Sequence, residues 1–88
     1  MTTIELAMPD EAFSALRRSP AEFGGELRLA AAVHWYCQGL TSQERAASIA
    51  GLDRTDFLLA LAREGVDAFS VDLESLRREL DMGGREPR

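Results

Sequence analysis

The chain has 88 residues, enough for one domain with a modest core, and its 45% hydrophobic and 28% charged residues exclude wholesale disorder. A net charge of −5 and a pI of about 4.8, with arginine as the sole cation, disfavour unspecific nucleic-acid binding and suit a cationic protein partner. A single cysteine, Cys37, excludes an intrachain disulfide and a thiolate zinc site of its own. No apolar run approaches the roughly 20 residues of a membrane span, and Met1-Thr2-Thr3-Ile4-Glu5 lacks the basic start of a secretory signal, so the chain reads as cytoplasmic.

Apolar and polar residues alternate over Thr3–Met8. This places Ile4, Leu6 and Met8 on one face of a short strand ended by Pro9. A lone strand leaves its backbone groups unpaired, so this one is expected to pair with its own copy in a homodimer or with a partner chain. Asp10 and Glu11 then open a short helix, closed by Arg17 and Arg18. Ser19-Pro20-Ala21-Glu22 is a second helix opening, with a capping serine, proline at the first position and glutamate at the third. That long central helix runs to about Gln38 and stops at Gly39. Gly24 and Gly25, costly inside a helix, point to close packing on another backbone or to a frayed start. From Leu27 to Cys37 the helix is apolar nearly all round, the pattern of a core or of a dimer seam. Trp35 and Tyr36 are expected to be buried there.

Thr41 is the expected cap of the next helix, which ends at Gly51. Asp53 caps a further helix from Arg54 to about Glu64, closed by Gly65. Gln43–Ala62 then has the make-up of a helix-turn-helix: small Ala47 where the second helix crosses, Gly51 in the turn, and Leu52, Phe57 and Ala60 facing the core. Two uses compete for this unit. If it reads operator DNA, the candidate contacts are Arg45, Arg54 and Thr55. However, Leu58 and Leu59 on the same face are poor groove residues, and residues 41 to 66 carry a net charge of −1, so the unit also reads as a packing device. Val66–Val71 reads as extended, Asp72 to about Asp81 as a last, marginal helix, and Met82–Arg88 as a disordered end. The fold class is mainly α: a short N-terminal strand, a long central helix, a helix-turn-helix-like pair and an acidic C-terminal segment. The expected division is 1–66 as the folded domain and 67–88 as the partner-binding segment.

Catalytic and metal chemistry find little support. His34 and Cys37 lie one turn apart, but two ligands do not make a site, and no group orients a Cys-His nucleophile. The pairs Arg17-Arg18 and Arg77-Arg78 read as helix-end and surface charge. No cofactor is implied, and the chain is expected not to be an enzyme. In the C-terminal segment Phe69, Val71, Leu73, Leu76 and Leu80 alternate with Asp67, Asp72, Glu74, Glu79 and Asp81. These are apolar anchors for a groove with charge for a basic rim.

The run Ser19-Pro20-Ala21-Glu22-Phe23, then Glu26–Val33 and Tyr36, then Ala46–Arg54 with Phe57-Leu58 and Gly65-Val66, resembles uncharacterised protein family 0175. These are small bacterial and archaeal proteins regarded as antitoxins similar to the VapB type. The likeness spans about residues 3 to 80 and is most specific at the Ala-Gly-Leu turn followed by an aromatic residue. His34 and Trp35 depart from the family's usual residues. The resemblance implies an antitoxin of a type II toxin-antitoxin system, with a PIN-domain-type ribonuclease toxin bound by the C-terminal segment and operator DNA as a possible second partner. The alternative is a small helix-turn-helix transcriptional regulator without a toxin.

Overall fold

A computed structural model describes residues 1–83. Among them are five helices and no strand: α1 Asp10–Leu16, α2 Pro20–Cys37, α3 Gln43–Ala50, α4 Arg54–Arg63 and α5 Ala68–Gly83.

The expected N-terminal strand is absent. Residues 1 to 9 have no regular structure and every one is exposed; Ile4 keeps 78% and Leu6 61% of its surface open. The alternation is real, but a strand exists only as part of a sheet, and no described segment of the chain offers an edge to pair with. The extended reading of Val66–Val71 is also corrected. Asp67 Oδ1 accepts from the Phe69 and Ser70 amides at 3.0 and 3.3 Å, and Ser70 Oγ donates to Oδ2 at 3.0 Å. That capping starts α5 at Ala68. The tail expected from Met82 lies, from residue 84, outside the described residues, while α5 itself continues to Gly83.

Elsewhere local chemistry sets the helix ends where the sequence puts them. At α2 the Ser19 hydroxyl accepts from the Glu22 amide at 3.2 Å, and the Glu22 carboxylate accepts from the Ser19 amide at 3.0 Å. Those bonds hold the Glu22 carboxyl below its usual range. Asp53 caps α4 through the Asp56 amide at 2.7 Å. The α3 cap is Ser42 rather than Thr41, its hydroxyl accepting from the Arg45 amide at 3.1 Å. Gly51 (φ +76°) ends α3 in a backbone region that only glycine enters freely.

The core lies between α2, α3 and α4. Ala32, Tyr36, Ala46, Ala47, Phe57 and Leu61 are each 3% exposed or less, and Ala50 and Ala60 join them. Small residues on α3 let α2 and α4 each pack closely against it, and Phe57 fills the space between, its ring edge-on to Tyr36 at 6.1 Å. Val66, Ala68 and Val71 bring the start of α5 onto this core. Trp35, expected inside, is 42% exposed, and His34 is exposed beside it. Only one side of α2 meets the body, and Ala32 and Tyr36 occupy it.

Two arginines close helix ends at long range. Arg28 of α2 donates from Nε to the Ile49 carbonyl at 2.8 Å, at the C-terminus of α3. Arg78 of α5 donates to the Gln38 carbonyl at 3.0 Å, just past α2. A Cβ at Gly39 (φ +75°) would sit 2.9 Å from the Arg78 guanidinium, so the glycine supplies both the turn and the room. Arg78 is therefore a helix cap rather than a free surface cation.

Gly24 and Gly25 are neither frayed nor packed on another backbone, because both lie within α2 and an added Cβ would meet nothing within 4 Å. Gly25→Ala is expected to stabilise the free chain by about 1 kcal/mol through helix propensity, read as a raised urea midpoint. A lowered midpoint would mean that this face is covered in solution.

Candidate functional site

The most elaborate polar arrangement links the heads of three helices to α2. Tyr36, 2% exposed, brings its hydroxyl from α2 to Asp72 Oδ1 at 2.5 Å, with the Ala68 carbonyl at 3.1 Å, both on α5. Gln43, the first residue of α3, lies with Nε2 3.3 Å from that hydroxyl and 3.4 Å from Asp72 Oδ2. Arg54, the first residue of α4, donates from Nε to Gln43 Oε1 at 2.9 Å. The result is a chain running Arg54–Gln43–Tyr36–Asp72. Burial pushes the Tyr36 hydroxyl up to about 12, helped by the bond it donates to Asp72 and by the negative charges of Asp72 and Cys37, while the Gln43 amide, which would stabilise a phenolate, works the other way.

That shift has a pH signature. The folded state favours the protonated phenol, so the stability it contributes is complete below about pH 10 and is lost as pH rises from 10 toward 12. The loss should amount to roughly 2 kcal/mol, seen as a falling urea midpoint across that window. Tyr36→Phe should be less stable at pH 7, because Asp72 loses its donor, and its midpoint should be much flatter between pH 10 and 12.

The sequence candidates for DNA contact do not all converge. Arg54 and Thr55 are exposed at the head of α4, and Arg54 lines a groove with Glu44, Ala47, Ser48, Leu52 and Asp53. Arg45 lies instead in a different depression, with Trp35, Leu40, Thr41 and Ile49. Leu58 and Leu59 are 37% and 59% exposed on α4.

Helix α5 has two faces. At about 100° per residue, Ala68, Val71, Ser75 and Arg78 fall on one side. The first two meet the core, Ser75 is half-buried and Arg78 caps α2. On the opposite side Phe69, Leu73, Leu76 and Leu80 are 74%, 46%, 50% and 59% exposed. Val71, grouped with them on sequence grounds, thus belongs to the inner face. On the same wheel Glu79 flanks this stripe on one side and Arg77 on the other, while Asp81 and Glu74, the latter 3.9 Å from Arg77, lie beyond that arginine. Tyr36 is buried as the sequence suggests, but its polar links and the roles of Gln43, Asp72 and the two capping arginines escaped the sequence reading, since their partners lie 7 to 40 residues away. The one sequence signal was a glutamine and an arginine each opening a short helix.

Among the described residues, no helix is long and apolar enough to cross a membrane, and no three His, Cys, Asp or Glu side chains gather as a metal site. The fold and its polar chain define a small all-helical protein built on a three-helix core, with a fourth helix latched beside it. The chain belongs to the Uncharacterised protein family UPF0175, whose family model matches residues 1–85. It is 44% identical over 57 residues to a UPF0175 protein of Aeropyrum pernix, covering 65% of this chain and 72% of that relative. A second UPF0175 protein of Aeropyrum pernix is 39% identical over 67 residues, covering 76% and 74%. One from Archaeoglobus fulgidus is 37% identical over 59 residues, covering 67% of each. No solved structure matches the chain.

Proposed function

We propose that this protein is a cytoplasmic interaction module of the antitoxin kind, which holds a protein partner on the outer face of α5. The observation that carries this reading is the stripe Phe69, Leu73, Leu76 and Leu80, left open while the opposite face of the same helix is docked. Four large apolar side chains in two heptads are far more than a solvated helix needs. The helix as a whole carries Asp72, Glu74, Glu79 and Asp81 against Arg77 and Arg78, and this acidic balance favours a partner with basic residues around an apolar groove. A ribonuclease is such a partner, since it must carry positive charge to bind its substrate. The family resemblance narrows the class to a PIN-domain-type toxin. In this reading the chain blocks the toxin and is not itself an enzyme.

The test is co-expression with the product of the adjacent reading frame. A stable complex, and relief of growth arrest caused by that product alone, are the expected results. A neighbour that neither binds nor arrests growth would overturn the toxin reading.

A second reading, a helix-turn-helix regulator that contacts operator DNA through α3 and α4, draws support from Arg54. Its Nε is held by Gln43, and Arg54 and Thr55 are both exposed. The two readings use different faces, the outer side of α5 and the head of α4, joined through Gln43 and Asp72.

A further inference from the structure

Gln43 stands between a cation and an anion. Its Oε1 accepts from Arg54 Nε at 2.9 Å, and its Nε2 lies 3.4 Å from Asp72 Oδ2 and 3.3 Å from the Tyr36 hydroxyl. A side-chain amide is neutral, accepts at one end and donates at the other. Turning this one over would set N–H against guanidinium and oxygen against carboxylate, so its neighbours fix which way it points. Alanine would leave Arg54 unheld, and glutamate would bring a second carboxylate to Asp72.

We propose that Gln43 is a positioning residue for a DNA contact: it holds Arg54 at the head of α4, aims the guanidinium at a backbone phosphate, and makes that aim depend on the docking of α5. The inference rests on the operator-contact reading above. Arg54 shares its groove with Glu44 and Asp53. An unheld guanidinium would fold onto these carboxylates and be lost to an outside anion. Anchored by Nε, it keeps its terminal N–H groups for an outside acceptor, and the next residue, Thr55, is exposed as well. Guanidinium and hydroxyl together are the donors that phosphates recruit. The anchor itself depends on α5, because Asp72 reaches Gln43 and Tyr36 only while Ala68 and Val71 sit on the core. A partner that pulled α5 away would therefore release Arg54 without touching it.

The test uses the full chain and a duplex from upstream of its own gene, titrated by fluorescence anisotropy at several salt concentrations, with the Arg54 Nε–H signal followed by NMR. Gln43→Ala should bind about tenfold more weakly than the natural chain and lose the slow-exchanging Nε–H signal. Arg54→Ala should lose a similar amount, with a salt slope lower by about one. The double variant should lose no more than Arg54→Ala alone, because Gln43 acts through Arg54. Asp72→Asn should weaken the Nε–H signal from a distance. If the natural chain fails to bind the duplex at low salt, the operator reading falls and this inference with it. If it binds but Gln43→Ala binds equally well, or the losses in the double variant add, the inference alone is overturned.

Discussion

Phe57→Ala should remove a large share of the chain's stability. Phe57 is fully buried at the meeting of α2, α3 and α4, against Tyr36 and among alanines that offer nothing to fill the gap. Removing a buried phenyl ring costs about 3–5 kcal/mol, while a domain of this length has a total stability on the order of 4–13 kcal/mol. Each kcal/mol moves the melting temperature of so small a domain by about 4–8 °C, so a fall of about 15–30 °C in thermal circular dichroism is expected. A fall under about 5 °C would mean that α4 does not sit on α2 in solution. Phe57→Leu, which keeps most of the volume, should recover much of the loss.

The outer face of α5 should give the largest effect on binding. Leu73→Asp with Leu76→Asp places two charges in the middle of the stripe, at positions 46% and 50% exposed in the free chain. Stability should change little, by roughly 1 kcal/mol from helix propensity. Affinity for the product of the adjacent reading frame should fall about 100-fold or more, as expected when two central apolar anchors are lost. Calorimetry measures the binding and a thermal melt controls for folding. Val71→Ala is the counterpart on the inner face, where stability should drop and binding should suffer only through the poorer docking of α5. Natural affinity in the double variant would remove α5 from the interface.

The division between what the sequence reveals and what it hides follows range along the chain. Ser19 with Glu22, Asp53 with Asp56, and the glycines Gly39, Gly51 and Gly65 set helix ends through neighbours two to four residues away, and all were legible. Phe57 and Ala60 were legible as core because helical periodicity carries them inward from an identified turn. The Ile4-Leu6-Met8 alternation misled, because a strand is a property of a pair and only half of one was in view. Trp35 misled because an all-round apolar helix does not reveal which side the rest of the chain will cover. Asp67 with Ser70 is a local cap for α5 that the extended reading of Val66–Val71 passed over. Of the site, Arg54 and Thr55 were legible as exposed residues at a helix head. The Gln43–Tyr36–Asp72 connection was not, because Asp72 lies 29 and 36 residues from its partners and no local pattern records such a distance.

The placement of the core within α2 has a dynamic consequence. Its buried residues, Ala32 and Tyr36, lie in the C-terminal half of an 18-residue helix. Its N-terminal half carries α1, which buries no residue and is held by the Phe13–Phe23 ring contact at 4.9 Å and the exposed Arg18–Glu26 ion pair. An exposed ion pair adds little, and the long axis of 54 Å against 26 and 22 Å shows how far the fold departs from a sphere. The two ends are therefore unequal cooperative units. Peptide amides in α1 and the first turns of α2 should exchange with solvent through openings that leave the three-helix core closed, and limited proteolysis should cut at Arg17 and Arg18 before Arg63.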